Sequence, residues 1–445
     1  MKFFRLIIGT LSLAVLVGCG GGGGGGGGGG SNPSAGASVS LGLSEIAKIP
    51  SASLPFVQAA NNLKLVVDSG PTGFANANIL YATVTVCEPG SASKCQVIDH
   101  VQVDTGSVGL RVLASKVSSL NLPHIQTVAN TDSWECYPFV VGGLWGVNAT
   151  ADVGLGQQVA SGLPIQIIQD TANPSLQVPA DCSAASNGQI LNSQVTLGAN
   201  GIIGIGSMPL DCGGLCQVGD YSASPYAQYR GCPVGAVNSS ACSPIAVPST
   251  LQVHNPIADL PAAYNNGAVI LLPDAPGLGS VSASGQLVFG MSDSVVAALA
   301  KVNVGVDYVN NPNSYMGVTT QYNNQTISYS YLDTGSNGLF FSNASIPLCQ
   351  STSWYCPTSQ SSQTAVISDG DIPSQNKTPV SFVVGNASSL FSTSNAAFSD
   401  LTGSQPVGSN AFTWGLPFFF GKKVFLSIWG QRGSSSGPWY SWIPG

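Results

Sequence analysis

Two copies of Asp-Thr-Gly-Ser, at 104–107 and 333–336, constrain this chain more than any other feature. Each copy leaves a β-prone run, Val101-Gln102-Val103 or Tyr329-Ser330-Tyr331-Leu332. Each then enters another, Gly109-Leu110-Arg111-Val112-Leu113 or Gly338-Leu339-Phe340-Phe341. One copy alone reads as a β-turn with a solvated carboxylate, because Asp and Gly are ordinary turn residues. Two copies with matching flanks read as a duplication. The repeat extends further, since Ile202-Ile203-Gly204 follows the first copy and Thr413-Trp414-Gly415 the second. Each half therefore runs strand, Asp turn, strand, long excursion, then two residues and a glycine. That order is expected of two related lobes.

With 445 residues the chain is too long for a single compact core. Only 7% of it is charged. Exposed helices usually carry Glu and Lys, so a polar but uncharged surface favours strands and turns. From about residue 62, short runs rich in Val, Ile and Tyr alternate with Gly, Asn, Ser and Pro clusters. Runs beginning at Leu63, Ile79, Gln96, Pro164 and Gln286 all have strand length. One short helix is expected at 292–301, capped by Ser292 or Asp293. The expected fold is all-β, with an N-terminal lobe at 62–291 and a C-terminal lobe at 292–445. Residues 211–248 break the strand rhythm, hold four cysteines and read as a disulfide-stapled insertion in the first lobe.

Residues 1–18 read as a signal segment, with Lys2 and Arg5 ahead of an apolar run from Leu6 to Val17. The run ends at Gly18-Cys19, the arrangement of a lipoprotein signal that is cleaved before an acylated Cys19. Two or more acyl chains would anchor the protein firmly. Glycine fills positions 20–30, so 19–61 reads as a lipidated, flexible tether. Localisation in the cell envelope follows, with the outer membrane or periplasmic side favoured. Beyond Cys19 ten cysteines remain, an even number that fits five disulfides in an exported chain. Their spacing suggests Cys87–Cys95, Cys232–Cys242 and Cys349–Cys356, and leaves connectivity within 212–242 open. A metal site on these cysteines is the lesser reading, and no metal or other cofactor is expected.

The chemistry rests on the paired turns. If Asp104 and Asp333 meet at a pseudo-twofold axis, both cannot ionise, and the pair shares one proton. The ionised member can then take a proton from water while its partner donates to an amide carbonyl. Gly106 and Gly335 would let backbone approach the carboxylates. Thr105 and Thr334 would hydrogen-bond across the lobes, and Ser107 and Ser336 would orient the outer carboxylate oxygens.

These residues resemble the pepsin-like, two-lobed aspartic peptidases. The likeness rests on Asp104–Ser107, Asp333–Ser336, the segments at Ile203-Gly204 and Trp414-Gly415, and the run 284–293 that resembles the strand closing the first lobe. It implies a double-ψ β-barrel architecture with a pseudo-twofold axis, few short helices, and a peptide or protein substrate in the cleft between lobes. The resemblance also implies a hairpin flap, for which 140–156 is the candidate. Trp145 is its candidate aromatic, with Tyr137 the alternative, and Trp145 reads equally well as a packing ring. Val108, Arg111 and Asn337 depart from the family's pattern. A membrane-tethered aspartic endopeptidase is the leading reading, and a non-catalytic binding or structural envelope lipoprotein the alternative. A monomer is expected. The net charge of −7 and the lack of any basic run argue against nucleic acid.

Overall fold

The computed structural model describes residues 49, 51–52, 55–172, 174, 176–186, 188–217, 228–299, 304–305, 317–369, 377–405, 409–433 and 438–444. The signal segment, Cys19 and the glycine run lie outside the described residues. The first half supplies β1 (Asn62–Val67), β2 (Leu80–Cys87), β3 (Cys95–Asp104), β4 (Val108–Leu113), β5 (Thr131–Phe139), β6 (Gly142–Leu155), β7 (Gln158–Ile168), β8 (Gly201–Ile205), β9 (Tyr229–Pro233), β10 (Ser243–Pro244), β11 (Gly267–Leu272) and β12 (Ala283–Phe289). The second half supplies β13 (Val304–Gly305), β14 (Gly317–Tyr322), β15 (Gln325–Leu332), β16 (Leu339–Phe340), β17 (Ser361–Ser368), β18 (Thr378–Val384), β19 (Thr402–Gly403), β20 (Ala411–Trp414), β21 (Lys422–Ser427) and β22 (Trp439–Pro444). Described helices are short. The expected one runs Asp293–Leu299, and the Ser292 hydroxyl accepts from the Val295 N–H at 3.4 Å to cap its start. No described helix is long and apolar enough to cross a membrane.

The strands form two sheets, one of 15 strands and one of 7. Within the larger sheet β1, β12, β11, β21 and β22 are successive neighbours. Gly267 to Leu272 pair antiparallel with Ser427 to Lys422, so the end of the chain rejoins the first half. This run of strands holds the lobes together. Packed chain also starts earlier than the boundary at 62. Ile49 and Ala52 lie against a cluster of Val269, Leu271, Phe425 and Trp439, and Gln58 Nε2 donates to the Asn62 carbonyl at 3.0 Å. The last part of the segment read as a flexible tether is thus seated on the shared sheet.

The lobes fill their interiors differently. Around the first Asp turn the core is aliphatic, with Val101, Val103, Leu110, Val112, Ile203 and Ile205 all buried. Around the second it is aromatic: Phe412 stacks on Trp414 with centroids 4.4 Å apart and on Phe341 at 5.2 Å. Each such side chain contributes roughly 1.5–3 kcal/mol on burial, so both turns sit on a firm base.

Five disulfides close the described chain: Cys87–Cys95, Cys136–Cys182, Cys212–Cys216, Cys232–Cys242 and Cys349–Cys356. The three pairs expected from spacing form. The pairing left open within 212–242 resolves into two local bridges. Cys136–Cys182 ties β5 to the helix Ala180–Ala185. A set of bridges this dense belongs to an oxidising compartment, extracellular or periplasmic. The cysteine-rich stretch also extends the first-half sheet, because β9 pairs with both β5 and β10. Among the described residues no group of His, Cys, Asp and Glu is arranged to hold a metal ion.

Candidate active site

Each Asp turn is built by three strands in the same way. β3 runs parallel to β8, bringing Val103 beside Ile203 and Asp104 beside Gly204. β4 returns antiparallel to the same strand, bringing Leu110 beside Ile203 and Gly109 beside Gly204. The second half repeats this arrangement. β15 runs parallel to β20, with Leu332 beside Trp414, and β16 runs antiparallel to it, with Leu339 beside Trp414. One strand therefore passes between the two arms leaving each turn, which is the ψ arrangement. Gly204 and Gly415 are required by closeness. A Cβ on Gly204 would lie 2.5 Å from the Val108 nitrogen, and one on Gly415 would lie 2.1 Å from the Gly338 carbonyl oxygen. Asp333 N–H donates to the Trp414 carbonyl at 2.9 Å, holding the second aspartate to its ψ strand.

The turns meet and lock. Thr105 N–H donates to Thr334 Oγ1 at 3.0 Å, and Thr334 N–H donates to Thr105 Oγ1 at 3.0 Å. Each threonine hydroxyl then donates across the interface, Thr105 to the Leu332 carbonyl and Thr334 to the Val103 carbonyl, both at 2.8 Å. These four bonds obey a pseudo-twofold axis. So do the bonds to the carboxylates. Gly106 N–H donates to Asp104 Oδ1 at 2.7 Å and Gly335 N–H to Asp333 Oδ1 at 2.8 Å. Ser107 and Ser336 hydroxyls donate to the outer oxygens of Asp104 and Asp333, each at 2.5 Å. Both carboxyl groups are thereby fixed in orientation.

The two carboxyls are neighbours: a Cβ on Gly106 would lie 2.6 Å from Asp333 Oδ1 and 3.2 Å from Asp104 Oδ1. Burial, then the charge of Asp333 and the hydrogen bond to it, hold the Asp104 carboxyl well above the usual carboxylate range. The Ser107 and Gly106 donors offset only part of this. A buried carboxyl held beside a second one in this way stays protonated above the usual carboxylate range.

Tyr440 was not legible as a neighbour of the dyad. It arrives on β22, from the far end of the chain, and is fully buried. Its hydroxyl sits near Ser207 and Thr105 and within reach of both aspartate charges. Burial first, then those charges, push its phenol upward and keep it neutral. No spacing relation links Tyr440 to either Asp turn, so only the sheet pairing reveals it.

Trp145 does not stand at the tip of the hairpin. The tight turn is Val140-Val141, between β5 and β6, and Val140 is 82% exposed there. Trp145 lies farther down β6 opposite Cys136, is fully buried, and stacks on Trp134 with centroids 5.1 Å apart. The register turns its side chain into a cluster with Cys136 and Cys182, so it serves as a packing ring. Tyr137, the alternative aromatic, is half-buried on β5. Its ring lies over Arg111, and the Asp104 charge reaches its phenol.

The two ψ-braced aspartate turns, locked across a pseudo-twofold axis in a bilobal all-β frame, define a pepsin-like fold. Within that class the chain belongs to the family described as "Protein of unknown function (DUF3443)", whose profile matches residues 57–442. A comparison with curated proteins found no match. Among solved structures, an aspartic proteinase from Irpex lacteus is similar over 86% of this chain and 96% of its own, at 15% identity and a TM-score of 0.47.

Proposed function

We propose that this chain is an aspartic endopeptidase of the cell envelope, tethered by lipid at Cys19, with Asp104 and Asp333 as its catalytic residues. One observation carries the reading: two Asp-Thr-Gly-Ser turns face each other with both inner carboxyl oxygens converging on the turn glycines, each carboxyl oriented by its own serine and glycine donors. An isolated turn carboxylate needs no such frame. Burying the Asp104 carboxyl beside a second one costs stability, so the arrangement points to the chemistry it makes available.

In that chemistry the singly protonated dyad holds a water between its carboxyls. The ionised member takes one proton as the water oxygen attacks the peptide carbonyl carbon. The protonated member gives its proton to the carbonyl oxygen, leaving a neutral gem-diol. Collapse of that diol returns a proton to the dyad, another protonates the amide nitrogen, and the C–N bond breaks. Positioned proton transfer of this kind supplies about 10²–10⁴-fold in rate. The donors fixing each carboxylate supply preorganisation.

The test is cleavage of an unfolded protein at mildly acid pH by wild type and by Asp104→Asn. Cleavage by wild type that falls to background in the variant supports the proposal. A wild-type protein that cuts nothing between acid and neutral pH would favour a binding or structural lipoprotein instead.

A further inference from the structure

A buried ionic cluster begins just beyond the first Asp turn and breaks the symmetry of the site. Leu110 pairs with Ile203, and its counterpart Leu339 pairs with Trp414. The next residues, Arg111 and Phe340, therefore hold matching places. Phe340 packs against Trp354 with centroids 5.3 Å apart. Arg111 instead buries a guanidinium completely. Its Nη2 donates to Glu135 Oε1 and to Asp211 Oδ2, both at 2.9 Å, and its Nη1 donates to the Val108 carbonyl. Both carboxylates are as buried as the arginine. Gln228 Nε2 donates to Glu135 at 3.0 Å and to Asp211 at 3.2 Å. Tyr229 donates to Asp211 at 2.8 Å and accepts from the Val253 N–H at 2.7 Å.

Such a cluster is an expensive way to fill space. Taking such groups out of water is costly, and apolar replacements of the same volume are often at least as stable. Phe340 shows that the fold accepts an apolar side chain at the matching place. What the ionic version adds is a rigid, oriented guanidinium. Its carbon lies over the Tyr137 ring of the β5–β6 hairpin, 3.7 Å from the ring centroid. The carboxylates of Glu135 and Asp211, with Tyr137, more than offset the burial that would lower the arginine's proton affinity, so it stays charged. A desolvated cation on an aromatic face is worth about thirtyfold or more in an equilibrium constant.

We propose that Arg111 is a positioning residue, clamping the ring of Tyr137, and with it the β5–β6 hairpin, beside the Asp104 turn. Arg111 is bonded to Val108, next to Ser107, so the clamp reaches from the carboxylate's own turn to the hairpin within one side chain. Glu135 and Asp211 hold the guanidinium over the ring. The consequence for catalysis rests on the endopeptidase reading; the clamp itself does not.

Hydrogen exchange of the hairpin amides, 131–155, in the full mature chain tests it. The variants are Tyr137→Phe, Tyr137→Leu, and the neutral triple Arg111→Met with Glu135→Gln and Asp211→Asn, which leaves no unpaired charge buried. Tyr137→Phe keeps the ring and should protect the hairpin as wild type does. Tyr137→Leu and the triple should speed its exchange about tenfold or more, leaving β17 and β18 unchanged. Where cleavage is measurable, Tyr137→Leu should raise KM about tenfold and change kcat less than about threefold, because a loosened hairpin loses uniform binding. Unchanged exchange in Tyr137→Leu and the triple overturns the clamp, as does a Tyr137→Phe variant as loose as Tyr137→Leu. A wild type that cleaves nothing sinks the endopeptidase reading, and exchange still decides the clamp.

Discussion

Replacing Gly106 with alanine probes the dyad without replacing either aspartate. The backbone of Gly106 lies outside the left-handed region, so alanine can adopt it. The added Cβ would stand 2.6 Å from Asp333 Oδ1, 2.8 Å from its Cγ and 3.2 Å from Asp104 Oδ1. Ordinary contact begins near 3.4 Å, so the Asp333 carboxyl must retreat by about 0.8 Å. That retreat moves the carboxyl out of its place beside Asp104 and spoils the Ser336 contact, whose length of 2.5 Å leaves no slack. A misplacement near 1 Å costs about 10²-fold in rate, while overpacking costs about 1–3 kcal/mol of stability. The assay is cleavage of an unfolded protein at mildly acid pH, beside a urea unfolding curve. Gly335→Ala should behave alike, since its Cβ would meet Asp104 Oδ1 at 2.5 Å. Gly214→Ala is the control, with nothing within 4 Å of the added carbon. A Gly106→Ala protein that keeps more than about a third of wild-type activity would refute the reasoning.

Three other outcomes are expected. Asp104 has its pKa raised in the folded protein, so unfolding releases a proton above the ordinary carboxylate range, and the stability of its protonated form is lost as pH rises through the folded value. Asp104→Asn should therefore gain stability over wild type as pH rises from about 4, with no gain well below about 4; urea titrations across pH check this, and activity should fall over the same alkaline limb. Thr105→Val leaves the Thr334 N–H and the Leu332 carbonyl without their bonds, costing about 2–4 kcal/mol in urea unfolding. Cys19→Ser should move the protein from the membrane to the soluble envelope fraction and abolish incorporation of labelled fatty acid.

The duplicated turns were legible because a short motif and its ψ glycine recur with the same strand context. Two strands reading into one turn leave few ways to arrange them, and Ile203, Gly204, Trp414 and Gly415 fall where that arrangement requires. Trp145 was harder, because strand alternation says that one face is buried without saying which. The Cys136–Cys182 bridge gave the orientation that sequence lacked, by turning that face of β5 and β6 toward a helix. Arg111 stood out only as a departure from a pattern. Its partners lie 24 and 100 residues away, at Glu135 and Asp211, and nothing local pairs them. Tyr440 is the extreme case, since it comes within reach of the aspartate charges only because β22 joins the shared sheet.

The most direct test of the account is a side-by-side cleavage measurement on the purified mature chain as wild type, Asp104→Asn and Asp333→Asn, from acid to neutral pH. Wild type should cleave peptide bonds on the acid side, and each variant should lose about 10²-fold or more with folding intact. Cleavage by either variant at the wild-type rate, or none by wild type at any pH, would contradict it.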